Sequence, residues 1–376
     1  MNSHQRIILV RAFSKQYQKS TKRQRGITLD QLEKTTGYSR KHLGRLLLSP
    51  PKRKKFSRVR PSPYRVILKP LEKLWAVSNY ACGKRLVPMI PVYLEALVRF
   101  GEIKVSQCEK KLLLSVSAAT ADRLLTHERR KINLKGRPRT KPGTLLKHQI
   151  PIRTWAEWSD TKPGFLEIDS VHHCGASLHG EYAYTLDTTD VATGWNECAA
   201  HLGRGEQRTI GAMEEIERRL PFPLKGINFD SGGEFVNWHF VRWSQRKQIT
   251  YSRSRETIKN DQAYVEQQNY SVVRRFVGYG RIDQPEQIKL LNQLYRELSD
   301  YQNFFQPVMK LKEKVRDGAR VTRKYDLAKT AYQRVLERDE IPSQTKEKLI
   351  QRFKSLNPRK LLKEITKLAE KTSQCR

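Results

Sequence analysis

Three short segments decide the fold class of this chain: F-L-E-I-D-S-V (165–171), E-Y-A-Y-T-L-D (181–187) and G-W-N-E-C-A-A (194–200). They are rich in residues that favour strands, and turn-forming residues separate them, so we expect three consecutive antiparallel strands. The following pattern predicts a helix at 206–220, a strand at 226–230, a helix at 235–247, a strand at 249–252 and a long helix from about residue 260. The order β-β-β-α-β-α-β-α indicates an α/β fold with a mixed sheet flanked by helices.

The charge distribution separates this segment from its flanks. The 376 residues carry a formal net charge of +35, which favours a polyanionic partner, nucleic acid first. Residues 1–150 have a net charge of +27, residues 160–290 of −2 and residues 291–376 of +10. We expect the basic flanks to grip DNA phosphates and the near-neutral centre to hold carboxylates that bind cations.

Composition also excludes several classes of protein. No apolar run is long enough to span a membrane, and the first residues lack the features of a secretory signal. The five cysteines are an odd number without a C-x-x-C pair, which favours reduced thiols over disulfides or a zinc ribbon. We therefore expect an intracellular protein with no membrane partner.

The N-terminal region contains a candidate DNA-binding motif. Residues 27–48 are interpreted as two short helices around a Gly turn, a helix-turn-helix whose second helix is capped by Ser39. Its candidate DNA contacts are Arg40, Lys41 and Arg45. The alternative is a helical hairpin whose basic face is only solvated.

A second helical segment and a basic linker follow. Residues 71–125 end in a helix that Ser117 can cap and that presents Arg123, so a second helix-turn-helix and a plain helical bundle both remain open. In the linker at 131–147, Arg137 and Arg139 flank a proline as in an AT-hook, which lies in a narrow minor groove. The alternative is a solvated connector, which is the simpler interpretation because the AT-hook match covers only four residues.

Three carboxylates in the central segment have the placement of a metal site. Asp169 lies in an apolar strand, Asp230 ends the strand G-I-N-F-D before a Ser-Gly-Gly turn, and Glu266 lies on a helix that Asn260 or Asp261 can cap. Phosphoryl transfer on DNA by two cations about 3.5–4 Å apart needs such converging carboxylates. The interval from Asp230 to Glu266 contains 35 residues.

This constellation resembles that of retroviral-type integrases and of the bacterial insertion-sequence transposases that share their catalytic core. The resemblance rests on L-E-I-D around Asp169, F-D-S-G-G-E-F around Asp230 and K-N-D-Q-A-Y-V-E-Q-Q-N around Glu266, with the D,D-35-E spacing. It covers about residues 160–280 and implies a ribonuclease H-like catalytic core.

The resemblance also implies a reaction and its cofactors. Asp169, Asp230 and Glu266 would bind two Mg²⁺ or Mn²⁺ ions per active site. Water would first cleave a phosphodiester at the transposon end, and the freed 3′-hydroxyl would then attack the target DNA. The double-stranded partners would be transposon ends and target DNA, and paired ends imply a homo-oligomer.

Other polar residues near these carboxylates receive different interpretations. Lys259, Gln262 and Arg274 lie near Glu266 and are candidate DNA contacts. Four other acidic residues of the segment are interpreted as salt-bridge or turn residues and not as ligands: Glu167, Asp187, Asp190 and Glu234.

The C-terminal arm is basic. Residues 308–325 alternate around Asp317-Gly318, which predicts a β-hairpin, and residues 346–371 predict amphipathic helices broken at Pro358. These helices serve self-association or pack on the chain's own core. The expected domains are a helix-turn-helix module with its linker (1–65), a second helical module (66–130), a basic linker (131–154), the catalytic core (155–285) and the basic arm (286–376).

Two other functions remain open. A DNA-binding regulator descended from such an enzyme would bind DNA without cutting it. A structure-specific nuclease of the same fold would cut DNA without joining a 3′ end to a target.

Overall fold

The structure, a computed structural model, divides into two compact units, Met1–Ser62 and Pro63–Arg376. The residues that it describes are 1, 3–50, 62–130, 162–229, 238–253, 269–317 and 320–375. Within these ranges, no helix combines the length and the apolar character needed to cross a membrane.

The first unit is a three-helix domain with its own small core. Its helices are α1 (Ser3–Lys19), α2 (Lys22–Thr36) and α3 (Arg40–Leu48). The buried apolar side chains are Val10, Tyr17, Leu32, Leu43 and Leu47. A capping box of Thr21 and Gln24 begins α2 five residues earlier than the predicted pair of helices, and Gly37 ends it at φ +69°. The two helices and the intervening Gly turn agree with the prediction.

The second unit is built around a five-stranded sheet. Its strands are β1 (Phe165–His172), β2 (Ala183–Asp190), β3 (Asn196–Leu202), β4 (Gly226–Phe229) and β5 (Thr250–Arg253), in the order β3-β2-β1-β4-β5. The first three strands pair antiparallel, whereas β4 is parallel to both β1 and β5. This order and these directions are those of a ribonuclease H-like fold, which confirms the predicted fold class.

Helices cover both faces of the sheet. Helices α9 (Glu206–Glu217) and α10 (Trp238–Lys247) cover one face, where Ile168 and Phe229 pack against Met213 and Phe240. On the other face, the long helix that we label α12 (Pro285–Phe305) packs on Val171 and Ala200. Every residue of β2 is consequently buried. Side chains of β1 therefore alternate between two covered faces.

Helices from residues 62–130 pack in the same unit as the sheet. They are a 3₁₀ helix (Pro63–Ile67), α4 (Leu68–Val77), α5 (Gly83–Arg99), α6 (Gln107–Ser115), α7 (Ala118–Leu124) and α8 (Thr126–Arg130). The Tyr93 hydroxyl on α5 donates to the Phe305 carbonyl at 2.6 Å, and the Tyr301 hydroxyl on α12 donates to the Val77 carbonyl at 2.6 Å. Ser117 caps α7, as predicted. The domain boundaries expected inside this unit stay predictions.

The C-terminal arm consists of a hairpin and three helices. After β5, a π-helical turn (Asn269–Arg274) continues into a short helix α11 (Arg275–Val277) and then α12. The hairpin strands are β6 (Leu311–Asp317) and β7 (Arg320–Tyr325), and the last helices are α13 (Ala331–Leu336), α14 (Ser343–Ser355) and α15 (Pro358–Gln374). The predicted break at Pro358 is confirmed. Helix α15 buries Leu361 and Ile365 in the core shared with α12, so the arm packs on its own chain.

Candidate active site

Asp169 lies in the middle of β1 and is only half-buried. Its side chain is on the face that α12 covers, because it alternates with Ile168 on the opposite face. The Ser170 backbone N–H donates to Asp169 Oδ1 at 2.7 Å, and the Asn269 side-chain amide donates to Asp169 Oδ2. The π-helical turn that begins at Asn269 therefore contacts the one predicted metal ligand that the structure describes.

The other two predicted ligands, Asp230 and Glu266, lie outside the described residues. Asp230 directly follows an element that the structure describes, and Glu266 lies shortly before another. Strand β4 ends at Phe229, which pairs with Ile168 in the parallel register of β1 and β4. Glu266 precedes Asn269 by three positions in the sequence. Among the described residues, no three His, Cys, Asp or Glu side chains lie close enough together to hold a metal ion.

Asp187 is a second carboxyl group on the same face of the sheet. It lies directly opposite Asp169 in the β1–β2 register and is completely buried. Asn196 Nδ2 donates to its Oδ1 at 2.5 Å, whereas its Oδ2 has no hydrogen-bond partner among the described residues. Burial raises the pKa of the Asp187 carboxyl to about 7, and the Asp169 carboxylate adds to this rise. These contacts show that the interpretation of Asp187 as a salt-bridge or turn residue is wrong.

Near Asp169 and Asp187, a chain of buried polar side chains joins the sheet to α12. His173 Nε2 lies 2.8 Å from Thr185 Oγ1, which in turn lies 2.7 Å from the Tyr295 hydroxyl on α12. Burial lowers the pKa of His173 to about 3, so its imidazole is neutral at physiological pH. The chain fixes α12 against the sheet at the level of Val171, two residues after Asp169.

Asp190 has the role predicted for it, that of a turn residue. Its Oδ1 accepts from the Gly164 N–H at 2.8 Å, and its Oδ2 accepts from the N–H of Thr193 at 2.7 Å and from the hydroxyl of Thr193 at 2.6 Å. The Lys310 ammonium donates to the carbonyls of Val191 and Ala192 in the same turn. Asp190 therefore orders the β2–β3 connection. Glu167 is buried on β1, two residues before Asp169.

The predicted DNA contacts of α3 differ in their surroundings. Arg40 forms an ion pair with Asp30, and its backbone N–H donates to Glu33 Oε1 at 3.1 Å. Glu33 thus supplies the cap at the start of α3, and the Ser39 side chain, which we expected there, makes no capping hydrogen bond. Lys41 and Arg45 are exposed on the same helix.

The remaining predicted contacts are scattered along the chain. Arg123 is exposed on α7 and donates to Thr120 Oγ1 at 3.0 Å. Arg274 is half-buried, where its guanidinium donates to the His172 carbonyl at 2.8 Å and lies over the Tyr279 ring. Its described contacts thus join the π-helical turn to the end of β1. Four others lie outside the described residues: Arg137, Arg139, Lys259 and Gln262.

Asp169 suits a hard divalent cation. Carboxylate oxygen is the donor that Mg²⁺ and Mn²⁺ prefer; Asp169 is only half-buried, and Asn269 orients one of its oxygens. Asn269 follows Glu266 by three positions, a helical spacing that puts two residues on one face, but no role was predicted for Asn269 from the sequence. The helical spacing was the signal that could have identified it.

Comparison with known proteins gives one clear relative. No known family model matches the chain. A crystal structure of the catalytic core domain of BIV integrase covers 46% of this chain and 94% of its own, with 13% identity and a TM-score of 0.31. The protein named Uncharacterized protein y4rM, from Sinorhizobium fredii, is 40% identical over 323 residues, which are 84% of this chain and 91% of that protein. At this identity and coverage, the chain belongs to the same protein family as y4rM.

Proposed function

We propose that this protein is a DDE-type polynucleotidyl transferase that cleaves DNA ends and joins them to target DNA, as a transposase or integrase does. The observation that carries the proposal is the position of Asp169. It is a half-exposed carboxylate on the central strand of a ribonuclease H-like sheet, contacted by the residue that begins the π-helical turn.

The strand register supports Asp230 as the second ligand. Ile168 pairs with Phe229 in the last described pair of β1 and β4, and the next residues along the two strands are Asp169 and Asp230. In parallel strands, paired residues point to the same face of the sheet. A register continued by one residue would bring these two carboxylates side by side.

The contact from Asn269 supports Glu266 as the third ligand. Residues three apart on a helix share a face, so a helix through both positions would present Glu266 and Asn269 together. Asn269 contacts Asp169. The same helical face would therefore direct Glu266 toward Asp169.

The proposed centre would hold two Mg²⁺ or Mn²⁺ ions through Asp169, Asp230 and Glu266, and these ions would activate the attacking oxygen and stabilise the leaving oxygen during phosphoryl transfer. Asn269 holds one oxygen of Asp169 in position, and Asp187 lies directly opposite Asp169 on β2.

The charge distribution supports DNA as the substrate. Residues 1–150 have a net charge of +27, and exposed cations such as Lys41, Arg45 and Arg123 lie on its helices. The double-stranded partners would be transposon ends and target DNA. Synapsis of two ends requires a homo-oligomer, and we place the reaction in the bacterial cytoplasm, on the nucleoid.

Strand transfer tests the proposal. Labelled DNA from the ends of the genomic element that encodes the chain is incubated with a plasmid, Mg²⁺ and wild-type, Asp169→Asn or Asp339→Asn protein. Asp339 is an exposed carboxylate remote in sequence from β1 and serves as the matched control. Metal coordination contributes several kcal/mol to the transition state, so joining by Asp169→Asn falls about a thousandfold.

Each alternative function has its own outcome in this assay. Cleavage without joining, by wild-type protein and at the correct ends, would identify a nuclease. Tight binding to the end DNA without cleavage or joining by any of the three proteins would identify a regulator. Undiminished joining by Asp169→Asn would eliminate the proposed metal site.

A further inference from the structure

A groove of about 590 Å³ lies between α4, α11 and α15. Its floor is apolar, and it is formed by Val77, Leu97, Phe276 and Leu362. The turn that follows α4 forms one wall through Asn79 and Tyr80. Nothing in the proposed metal chemistry uses these residues.

Basic side chains surround the floor. Lys73, Arg275, Arg359 and Lys363 line the groove together with a single described carboxylate, Glu102. Glu102 is matched by Arg359, whose Nη1 lies 2.6 Å from Glu102 Oε2. The surplus of positive charge comes from Lys73, Arg275 and Lys363, and both lysines are exposed. An apolar floor with a cationic rim suits a ligand that is both anionic and flat or apolar.

The wall at Asn79 and Tyr80 has a costly backbone conformation. Both residues have positive φ angles, 56° and 62°, which is unusual for a non-glycine residue and especially for a bulky one. The conformation is held by Arg275 Nη2, which donates to the Asn79 carbonyl at 2.9 Å, and by the Tyr80 N–H, which donates to the Trp75 carbonyl at 2.9 Å. It keeps the Tyr80 ring edge-on to Trp75 and 44% exposed at the groove. Strained backbone of this kind concentrates at ligand sites.

The groove lies close to the candidate active site. Arg275 follows the π-helical turn whose first residue, Asn269, contacts Asp169. Six residues of helix rise by at most roughly 9 Å. A DNA strand whose phosphate reacts near Asp169 would therefore reach the groove within a few nucleotides.

We propose that this groove binds an unpaired nucleotide of the DNA strand next to the reacting phosphate. The phosphates lie against Lys73, Arg275 and Lys363, and the base stacks on Tyr80 above the apolar floor. Aromatic rings stack on bases that have left the duplex, whereas paired DNA offers its phosphates and base edges. The proposal rests on the proposed function, since it is the DNA substrate that occupies the groove.

Binding of two DNA probes tests the groove in the full-length protein. The probes are a fluorescein-labelled single strand of 30 nucleotides and the duplex of the same sequence, titrated at several salt concentrations. The first variant is Tyr80→Asn, because asparagine accepts a positive φ and lacks the ring. The second is the double variant Lys73→Ala/Lys363→Ala. Lys289→Ala, an exposed lysine on α12 outside the groove lining, is the control.

Loss of a stacked base weakens binding of the single strand about 5-fold or more, while the affinity of Tyr80→Asn for the duplex stays within about 2-fold of wild type. The double lysine variant lowers the salt slope for the single strand by about 1.4, because each phosphate contact contributes about 0.7. Lys289→Ala leaves the slope unchanged.

Three results would contradict nucleotide binding in the groove and leave the proposed function standing. They are an unchanged affinity of Tyr80→Asn for the single strand, equal losses of affinity for both probes, and wild-type protein that binds only the duplex. Wild-type protein that binds neither probe overturns the proposed function as well. If Tyr80→Asn does not fold, the variant Lys73→Ala/Lys363→Ala still tests the groove, because both lysines are exposed.

Discussion

At the scale of single residues, the sheet contains carboxyl groups that folding removes from water. Asp187, Asp190 and Glu197 are all completely or almost completely buried. Burial raises the pKa of each, to about 7 for Asp187 and Glu197, although hydrogen bonds oppose the rise. Ionising these groups in the folded protein costs free energy, and stability at neutral pH depends on what offsets that cost.

Asp187 gives a prediction about pH. Its folded pKa of about 7 exceeds the ordinary value of 3.8, so the folded chain binds the proton more tightly than the unfolded chain. The resulting stabilisation is complete below about pH 4 and is lost as the pH rises through about 7. Asp187→Asn removes this titration. Between pH 5 and pH 8, the free energy of unfolding of wild type should fall by about 2 kcal/mol more than that of the variant.

Urea denaturation in EDTA at several pH values measures this difference without the contribution of bound cations. Asp339→Asn, which alters an exposed carboxylate, should follow wild type. Parallel pH profiles of wild type and Asp187→Asn would mean that Asp187 remains ionised in the folded protein.

Asp169 was easier to identify from the sequence than Asp187, the carboxyl group opposite it. Asp169 was identifiable because a charged residue interrupts an apolar strand. Asp187 ends an equally apolar run, but its meaning depends on which residue of β1 it opposes. The connection at residues 173–182 sets that register, and its length and turns do not determine the register by themselves.

At the scale of elements, α15 was predicted as a helix, but the element that it packs against was not. Its apolar positions recur at helical spacing and Pro358 breaks the pattern, so its start followed from the sequence; the structure adds the Asn357 cap and extends the helix to Gln374. An amphipathic pattern specifies a buried face but not what covers it. The structure shows Leu361 and Ile365 in the core shared with α12, so this face packs on the same chain.

Helix α15 should therefore contribute to the stability of the monomer. Ile365 is completely buried, and Ile365→Ala should lower the free energy of unfolding by about 2–5 kcal/mol, through lost apolar contact and a residual cavity. Glu370→Ala, at an exposed position of the same helix, should change it by less than about 0.5 kcal/mol. Urea unfolding measures both. If stability depended on protein concentration and Ile365→Ala removed that dependence, α15 would be an interface between copies instead.

The strands followed from local pattern as well, because alternation and turn residues are local properties. Their order in the sheet followed from the β-β-β-α-β-α-β sequence of elements together with the right-handed crossovers that parallel strands require. The position of helices α4 to α8 did not follow from the sequence. Their attachment depends on tertiary hydrogen bonds such as the one from Tyr93 to the Phe305 carbonyl, between residues 212 positions apart.

At the scale of the whole molecule, the basic N-terminal residues and the sheet that carries Asp169 belong to separate compact units. Residues 1–62 form a compact unit with its own core, and they carry 17 Lys and Arg against 2 Asp and Glu. The second unit contains the sheet and Asp169. A unit of about 60 residues is near the lower limit for independent folding, but α2 has a capping box at its start and a glycine cap at its end, and the unit has a buried core.

We therefore expect a fragment of residues 1–62 to fold and to bind duplex DNA without the rest of the chain. Its circular dichroism should be helical and melt cooperatively, and Leu43→Ala, at a completely buried position, should abolish the transition. If α3 lies against the phosphates, Lys41→Ala/Arg45→Ala lowers the salt slope of duplex binding by about 1.8, two contacts of about 0.9 each.

The matched control replaces Lys19 and Lys34, exposed cations on α1 and α2. It removes the same charge from the fragment, so any loss common to both double variants reflects net charge and not a docked helix. A larger loss for the α3 variant assigns α3 to the DNA surface, because counterion release counts only the cations that contact phosphates. Equal losses would show that the unit binds DNA through its overall charge, and sequence preference would then have to come from residues 63–376.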